Sequence, residues 1–255
     1  MSENYKKISN GVWNIANLLR GSWKSYEYQD VILPFLVLKR LDTALAPTKQ
    51  KVLSSFNELE GRVKNLDILT RKTGYNFYNT SPFDFKKLID DPNGIEKNLR
   101  NYIDGFSPNI KDIFEKLDFE VILEKLAGGE KLLLIMKEFN KLEVGPDRVS
   151  NYEMGLAFED LIRRFAEQSN ETAGEHYTPR DVVSLMAMLL FAGEEKELAK
   201  KGVTRTLYDP ACGTGGMLTV GKEYVLGRLN KDADIFLFGQ ELNPKTYAIC
   251  KAVLD

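Results

Sequence analysis

The sequence predicts a mixed fold (α + α/β), with a helical N-terminal domain followed by an α/β domain that contains parallel strands. Up to about residue 165, apolar residues recur at helical spacing in several separate segments. After that, a helix is expected with Thr178 as N-cap, Pro179 as its first residue and an apolar stripe formed by Val182, Val183, Leu185, Met186, Leu189 and Leu190. Strands and helices then alternate, with a strand near 203–209, a helix from 217, a strand near 235–240 and a helix from 244. A strand–helix–strand order of this length indicates parallel strand pairing.

Composition sets the broad class of the protein. The 255 residues are 43% hydrophobic and 28% charged, with a net charge of −2, which is typical of a globular protein and not of a surface that coats nucleic acid. Its two cysteines provide no disulfide framework. No apolar run approaches the roughly 18 residues of a membrane span, and the N-terminus has no signal-peptide pattern, so a cytoplasmic location is predicted.

The helical region is expected to occupy 1–165, and the α/β domain 166–255. A helix from Val12 should stop at Gly21, and the next should be buried on all sides because its residues 31–38 are nearly all apolar. Pro34 inside that segment predicts a kink or a helix start. Four short helices are expected at about 94–104, 110–117, 120–126 and 130–142, and an amphipathic helix with a Ser or Asn cap follows residue 150.

Five aromatic residues interrupt the helical pattern between residues 70 and 85. The segment TRKTGYNFYNTSPFDF has no clear period, so it predicts an ordered loop held in place by its rings. Plain packing is the favoured interpretation of these rings, and a stacking platform for nucleic acid is the alternative.

The segment DPACGTGG, which joins the first strand to a helix, predicts a ligand site. Such a loop lies at the carboxyl end of a parallel strand, where ligands bind in α/β folds. Gly213, Gly215 and Gly216 permit positive φ and close approach of another molecule to the backbone. The helix N-terminus adds free N–H groups and the positive end of its dipole. A tight strand-to-helix turn with no ligand is the simpler alternative.

The residues around the loop narrow the class of ligand. A P-loop is excluded because Met217 and Leu218 follow the last glycine, and a dinucleotide fingerprint lacks its third glycine. Asp209 suits a ligand that carries an ammonium or a sulfonium better than a pyrophosphate, which points to S-adenosylmethionine. Glu241 follows the second strand, where an acid can accept hydrogen bonds from ribose hydroxyls.

These motifs resemble those of a known family. DPACGTGGML, preceded by GEHYTPRDVVSLM, closely resembles the modification (M) subunits of type I restriction-modification systems, which are S-adenosylmethionine-dependent DNA adenine methyltransferases. The segment LLRGSWKSYEYQDVILPFLVLKRLD is similar to their helical N-terminal domain. The resemblance spans essentially the whole chain and implies that residues 166–255 begin a Rossmann-like methyltransferase domain.

The resemblance also implies site residues, a reaction and partners. The implied reaction is methylation of adenine N6 in specific DNA sequences. The partners would be a DNA specificity subunit, a restriction subunit and double-stranded DNA, with two M subunits for each specificity subunit. The resemblance and the chemistry of the loop together give the expected cofactor-binding residues, which are Glu175, His176, Tyr177, Thr178, Pro179, Arg180, Asp209, Gly213, Thr214, Gly215, Gly216 and Glu241.

One family motif is missing from the sequence. Family members carry Asn/Asp-Pro-Pro-Phe/Tyr after the fourth strand, where it accepts the protons of the adenine amine and stacks on the flipped base. Asn243-Pro244 is followed by Lys245, and Asp91-Pro92 by Asn93, so neither qualifies. We therefore expect an incomplete methyltransferase domain, no catalytic residue within this chain, and no activity of the chain alone.

Two other functions are compatible with the sequence. The same strand–helix–strand unit could serve a dinucleotide-dependent enzyme, or the chain could be a non-catalytic module that docks onto partners. A metal site is not expected, because His176 is the single histidine and the cysteines are not spaced as ligands.

Overall fold

The computed structural model describes residues 3–21, 23–24, 27–59, 62, 65–127, 131–168 and 178–254. The chain divides into two compact units, one up to Val149 and one from Ser150 to Leu254. The domain boundary expected at residue 165 falls inside the helix Asn151–Gln168, which packs against other helices of the second unit. Within the described ranges, no helix is long and apolar enough to cross a membrane.

The first unit is helical, as the sequence predicts. The helices in chain order are α1 (Glu3–Leu19), α2 (Tyr28–Leu45), α3 (Lys49–Leu59), α4 (Thr70–Thr73), α5 (Phe85–Asp90), α6 (Ile95–Asp104), α7 (Pro108–Lys116), α8 (Phe119–Ala127) and α9 (Leu132–Asn140). Short 3-10 turns occupy Ala46–Thr48 and Asp67–Leu69.

Helix α2 is the buried centre of this unit. Every residue from Val31 to Leu41 is buried, which confirms the interpretation of its apolar sequence. The helix begins at Tyr28, so Pro34 lies inside it and does not start it. Lys39 and Arg40 are also buried, and both find hydrogen-bond partners there. Arg40 donates to the backbone carbonyls of Val144 and Val149, at 2.5 and 2.7 Å, and Lys39 Nζ donates to Asn140 Oδ1 at 3.1 Å.

The aromatic segment after α4 is part of the core. Phe77, Tyr78 and Phe85 are buried, and Tyr75 stacks on Phe77 with ring centroids 5.1 Å apart. Asn79 forms an isolated antiparallel bridge with Phe106. Packing therefore accounts for these rings better than a stacking platform for bases does.

The second unit contains the predicted α/β pattern. Its elements are α10 (Asn151–Gln168), α11 (Arg180–Phe191), α12 (Glu195–Leu198), β1 (Thr204–Asp209), α13 (Gly216–Tyr224), β2 (Asp234–Gly239) and α14 (Pro244–Leu254). A π-helical turn, Val225–Leu229, extends α13. Strands β1 and β2 pair in parallel, from Thr204 opposite Asp234 to Asp209 opposite Gly239.

The two faces of this sheet differ in burial. Leu207 and Leu237 pack against a cluster formed by Cys212, Leu218 and Cys250. The opposite face is apolar but exposed, with more than half of each side chain accessible at Tyr208, Phe236 and Phe238. Parallel sheets usually have both faces covered, so this exposed aromatic face is unusual.

Helix α11 differs from the sequence prediction at its start and along its surface. It begins at Arg180, and Pro179 occupies the cap position without a side-chain cap bond, so the expected Thr178 cap is wrong. The predicted apolar stripe, Val182, Val183, Leu185, Met186, Leu189 and Leu190, is buried only at Val183. Periodicity located the apolar residues of the helix, but it does not show whether another element covers them.

Candidate functional site

The glycine loop connects β1 to α13 and requires its glycines. Gly213 and Gly215 adopt left-handed backbone conformations, with φ of +56° and +87°. A Cβ atom on Gly215 would lie 2.9 Å from the Cys250 sulfur, and one on Gly216 would lie 2.7 Å from Glu159 Oε1. The loop therefore needs glycine for its conformation and for close packing.

The two predicted acids lie beside this loop, at the carboxyl ends of the strands. Asp209 Oδ1 accepts a hydrogen bond from the Ala211 N–H at 3.0 Å, which closes the turn after β1. Glu241 Oε2 accepts from the Gly213 N–H at 3.0 Å, and its Oε1 accepts from the Asn243 N–H at 2.8 Å. Each carboxylate oxygen can accept more than one bond, so these contacts leave capacity for a ligand.

A buried ion pair between Arg180 and Glu159 also contacts the loop residues. Arg180 Nη2 is 2.7 Å from Glu159 Oε1, and the guanidinium lies over the Tyr152 ring, 5.3 Å from its centroid. Thr214 Oγ1 donates to Glu159 Oε1 at 3.4 Å. Burial raises the pKa of Glu159 above its usual value, while the charge of Arg180 acts in the opposite direction.

Two cysteine thiols, Cys212 and Cys250, contribute to the packing around the loop. The sulfurs of Cys212 and Cys250 are 3.8 Å apart and buried. Burial raises the pKa of both thiols, so they are neutral at physiological pH and act as small apolar groups in the packing of α14 against the loop.

Most of the predicted site residues come together in the second unit. Asp209, Gly213, Thr214, Gly215, Gly216 and Glu241 form the loop and its acidic border, and Arg180 reaches Gly216, whose carbonyl lies 3.5 Å from Nη1. Thr178 and Pro179 are exposed and precede Arg180 in the chain. Glu175, His176 and Tyr177 lie outside the described residues.

Sequence reasoning missed Glu159 and Tyr152. Both lie on α10, which the sequence identified only as an amphipathic helix. The sequence offers one weak signal, the glycine Gly155, which lies one helical turn before Glu159. A Cβ atom at Gly155 would lie 3.8 Å from Arg180 Nη2. Within the described parts of the chain, no group of three His, Cys, Asp or Glu side chains could hold a metal ion.

Taken together, the second unit is an α/β unit with a glycine loop and two acids at the carboxyl ends of its parallel strands, the edge at which α/β proteins bind ligands. Residues 8–139 match the family described as "HsdM N-terminal domain", and residues 149–254 match "N-6 DNA Methylase". The chain belongs to the family of type I restriction-modification methylase subunits.

Individual relatives agree with this assignment. The chain is 24% identical to the type I restriction enzyme MpnII methylase subunit of Mycoplasma pneumoniae, over 98% of this chain and 50% of that protein. It is 20% identical to the MjaIX methylase subunit of Methanocaldococcus jannaschii, over 96% of this chain and 44% of that protein. The chain thus spans about half the length of these curated relatives.

A solved structure supports the fold. The type I restriction-modification methyltransferase subunit of Streptococcus thermophilus matches with a TM-score of 0.67 and 22% identity, over 98% of this chain and 55% of that one. The helical domain followed by the start of a methyltransferase domain, predicted from the sequence, is therefore confirmed.

Proposed function

We propose that this chain forms part of a subunit that transfers a methyl group from S-adenosylmethionine to adenine N6 in specific DNA sequences. The observation that carries the proposal is the glycine loop bordered by Asp209 and bonded to Glu241 across the ends of β1 and β2. Membership of the N-6 DNA methylase family supports the reaction class.

The residues of the loop fit this cofactor. S-adenosylmethionine carries ribose hydroxyls and positive groups, for which carboxylates such as Glu241 and Asp209 are suitable partners. Gly213 and Gly215 leave the backbone open to close approach, and the N-terminal N–H groups of α13 lie next to the loop. A pyrophosphate would meet two acids at the same place, which disfavours a dinucleotide.

The bound cofactor would supply a methyl group made electrophilic by its sulfonium sulfur. Glu241 would fix the ribose, the glycine loop would lie against the nucleoside, and residues 175–180 would contribute to the cofactor site. No Asn/Asp-Pro-Pro-Phe/Tyr segment occurs in the sequence, so the adenine amine would have no proton acceptors or stacking ring from this chain. We therefore expect the chain to be inactive by itself.

The exposed aromatic face of β1 and β2 supports the view that another polypeptide layer covers this sheet. We propose that the active assembly contains a DNA specificity subunit, a restriction subunit and two methylase subunits per specificity subunit, acting on double-stranded DNA in the cytoplasm. The net charge of −2 agrees with sequence recognition by a separate subunit.

The reaction can be tested in the cell that encodes the chain. Deletion of the gene that contains this sequence should abolish N6-methyladenine at one recognition sequence, and re-introduction of that whole gene should restore it. An unchanged methylation pattern would contradict the proposal. In a parallel assay, the purified chain with DNA, labelled S-adenosylmethionine and a matching specificity subunit should leave no label on adenine.

A further inference from the structure

The two cysteines of the chain meet at the glycine loop. Cys212 directly precedes Gly213 in the loop, and Cys250 lies on α14. Their sulfurs are 3.8 Å apart, and neither residue is more than 6% exposed. Since the sequence contains two cysteines in all, a disulfide within the chain can join only this pair. The proposed methyl transfer makes no use of either thiol.

Closing this contact to a covalent bond would move the loop. A disulfide holds its sulfurs about 2.05 Å apart, so the two sulfurs would have to approach by roughly 1.8 Å. Rotation of the side chains alone is restricted, because backbone lies tightly against both sulfurs. A Cβ on Gly215 would lie 2.9 Å from the Cys250 sulfur, and one on Gly239 would lie 2.7 Å from the Cys212 sulfur. Helix α14 is anchored by buried residues such as Ile249, so the loop takes up most of the movement.

This movement would disturb the contacts that shape the candidate site. The Cys212 N–H donates to the Gln240 carbonyl at 2.8 Å, and the Cys212 carbonyl accepts from the Gly215 N–H at 2.8 Å. The next residue, Gly213, donates its N–H to Glu241 Oε2 at 3.0 Å. A displaced Cys212 would therefore shift the loop amides and the Glu241 contact together.

The burial of the pair determines how it reacts. The thiolate is the reactive form of cysteine, and burial raises the pKa of both thiols, with the charges of Asp209 and Glu241 acting in the same direction. The thiols therefore react slowly at neutral pH and faster as the pH rises. An oxidant has to be small to reach so enclosed a pair, and hydrogen peroxide meets this requirement.

We propose that Cys212 and Cys250 form a peroxide-sensitive switch, which closes to a disulfide and weakens cofactor binding at the glycine loop. This inference rests on the proposed function. The Cys212 thiolate attacks one oxygen of hydrogen peroxide, the O–O bond breaks, and the second oxygen leaves as hydroxide, which gives a sulfenic acid. The Cys250 thiolate then attacks the Cys212 sulfur and displaces a second hydroxide. The protons released by the two thiols convert both hydroxides to water, so two thiols are oxidised to one disulfide and peroxide is reduced to two waters.

The experiment compares the reduced, oxidised and re-reduced forms of the 255-residue chain. After treatment with hydrogen peroxide at mildly alkaline pH, the intact mass of the monomer should fall by two hydrogens. Protein-observed NMR titration then gives the Kd for S-adenosylhomocysteine, the cofactor without its methyl group, even when binding is weak. The oxidised chain should bind it about tenfold more weakly than the reduced chain, and dithiothreitol should restore the original Kd.

The control for oxidation elsewhere is the thiol-free variant Cys212→Ala/Cys250→Ala, because the chain also contains six methionines that peroxide can oxidise. Its affinity should be the same before and after peroxide. The recovery with dithiothreitol is a second control that needs no variant, since this reagent reduces a disulfide and leaves methionine sulfoxide in place.

The outcomes separate this inference from the cofactor proposal. A chain that gains oxygen without losing two hydrogens, a disulfide that leaves the Kd unchanged, or a loss of affinity that dithiothreitol does not reverse would overturn the switch. Each of these results leaves the cofactor proposal standing, provided that the reduced chain binds S-adenosylhomocysteine. A reduced chain that does not bind this compound would contradict both.

Discussion

Glu241 Oε2 accepts a hydrogen bond from the backbone N–H of Gly213 at 3.0 Å. This bond joins the residue after β2 to the loop after β1, so the acid expected to hold a ribose also fixes the glycine loop. The same carboxylate bonds the N–H of Asn243, just before α14. One side chain therefore organises both strand-to-helix connections of the site.

Replacing Glu241 should affect cofactor affinity more than folding. Glu241→Ala removes an acceptor for ribose hydroxyls, and each charged hydrogen bond lost costs about 1.5–3 kcal/mol. We expect weaker binding of S-adenosylhomocysteine in NMR titration, with a small decrease in melting temperature from the lost loop bonds. Glu223→Ala, on the exposed surface of α13, is the control. Unchanged affinity with a collapsed melting temperature would show that Glu241 is only structural.

The glycines of the loop should differ in their tolerance of alanine. Gly213 and Gly215 both have positive φ, which costs a non-glycine residue about 1 kcal/mol. Only at Gly215 would the new Cβ meet a neighbour, 2.9 Å away at Cys250, while nothing lies within 4 Å at Gly213. Gly215→Ala should therefore lower the free energy of unfolding more than Gly213→Ala. Equal losses in urea denaturation would contradict this geometry.

The two faces of the sheet should respond differently to truncation. Phe238 is 56% exposed, so Phe238→Ser should change the free energy of unfolding by no more than about 0.5 kcal/mol. Leu207 packs against the cluster behind the loop, so Leu207→Ala should cost about 2 kcal/mol or more. Chemical denaturation of the two variants checks the difference. A large loss at Phe238 would mean that the aromatic face is covered within this chain.

The parts of the fold that depend on local patterns could be predicted from the sequence. The parallel strands follow from their order, and the cap of α14 follows from Asn243-Pro244, since Asn243 Oδ1 accepts from the N–H groups of Lys245 and Thr246. The glycine loop was recognisable because its residues are contiguous. Glu241 could be found because it directly follows an apolar strand.

Contacts between distant segments could not be predicted. Glu159 and Arg180 are on different helices, and an amphipathic pattern does not show which acidic side chain forms an ion pair with which basic one. The charged residues Lys39 and Arg40 suggest a polar face of α2 in the sequence, but both are buried, and the hydrogen-bond partners that satisfy them are more than 100 residues away. The exposed face of α11 depends on what covers it, which periodicity does not encode.

The helical unit should show a pH dependence that originates at Lys49. Burial lowers the pKa of Lys49 from 10.5 to about 8, although Asp42 and Asp84 act in the opposite direction. Between these values the unfolded chain binds more protons, so the contribution of Lys49 to stability rises with pH and is lost as pH falls through about 8. From pH 7.5 to 9.5, wild type should gain about 1–2 kcal/mol relative to Lys49→Met.

This gain is measured as the difference in free energy of unfolding between the two proteins at each pH. This difference removes the contribution of every group whose titration is the same in wild type and in Lys49→Met. Lys51→Met, on the exposed surface of α3, should show no such gain. A wild-type to Lys49→Met difference that stays constant over this range would mean that Lys49 keeps its ordinary pKa in the folded chain.

The most direct test of the central claim is to map nucleoside binding on the chain itself. Amide NMR shifts are recorded while S-adenosylhomocysteine, and separately NAD, is added to the 255-residue chain. The account predicts that S-adenosylhomocysteine shifts the amides of Gly213–Gly216 and Glu241, and that NAD leaves them unchanged at the same concentration. Shifts of these amides by NAD alone, or by neither compound, would contradict a cofactor site for methyl transfer at the glycine loop.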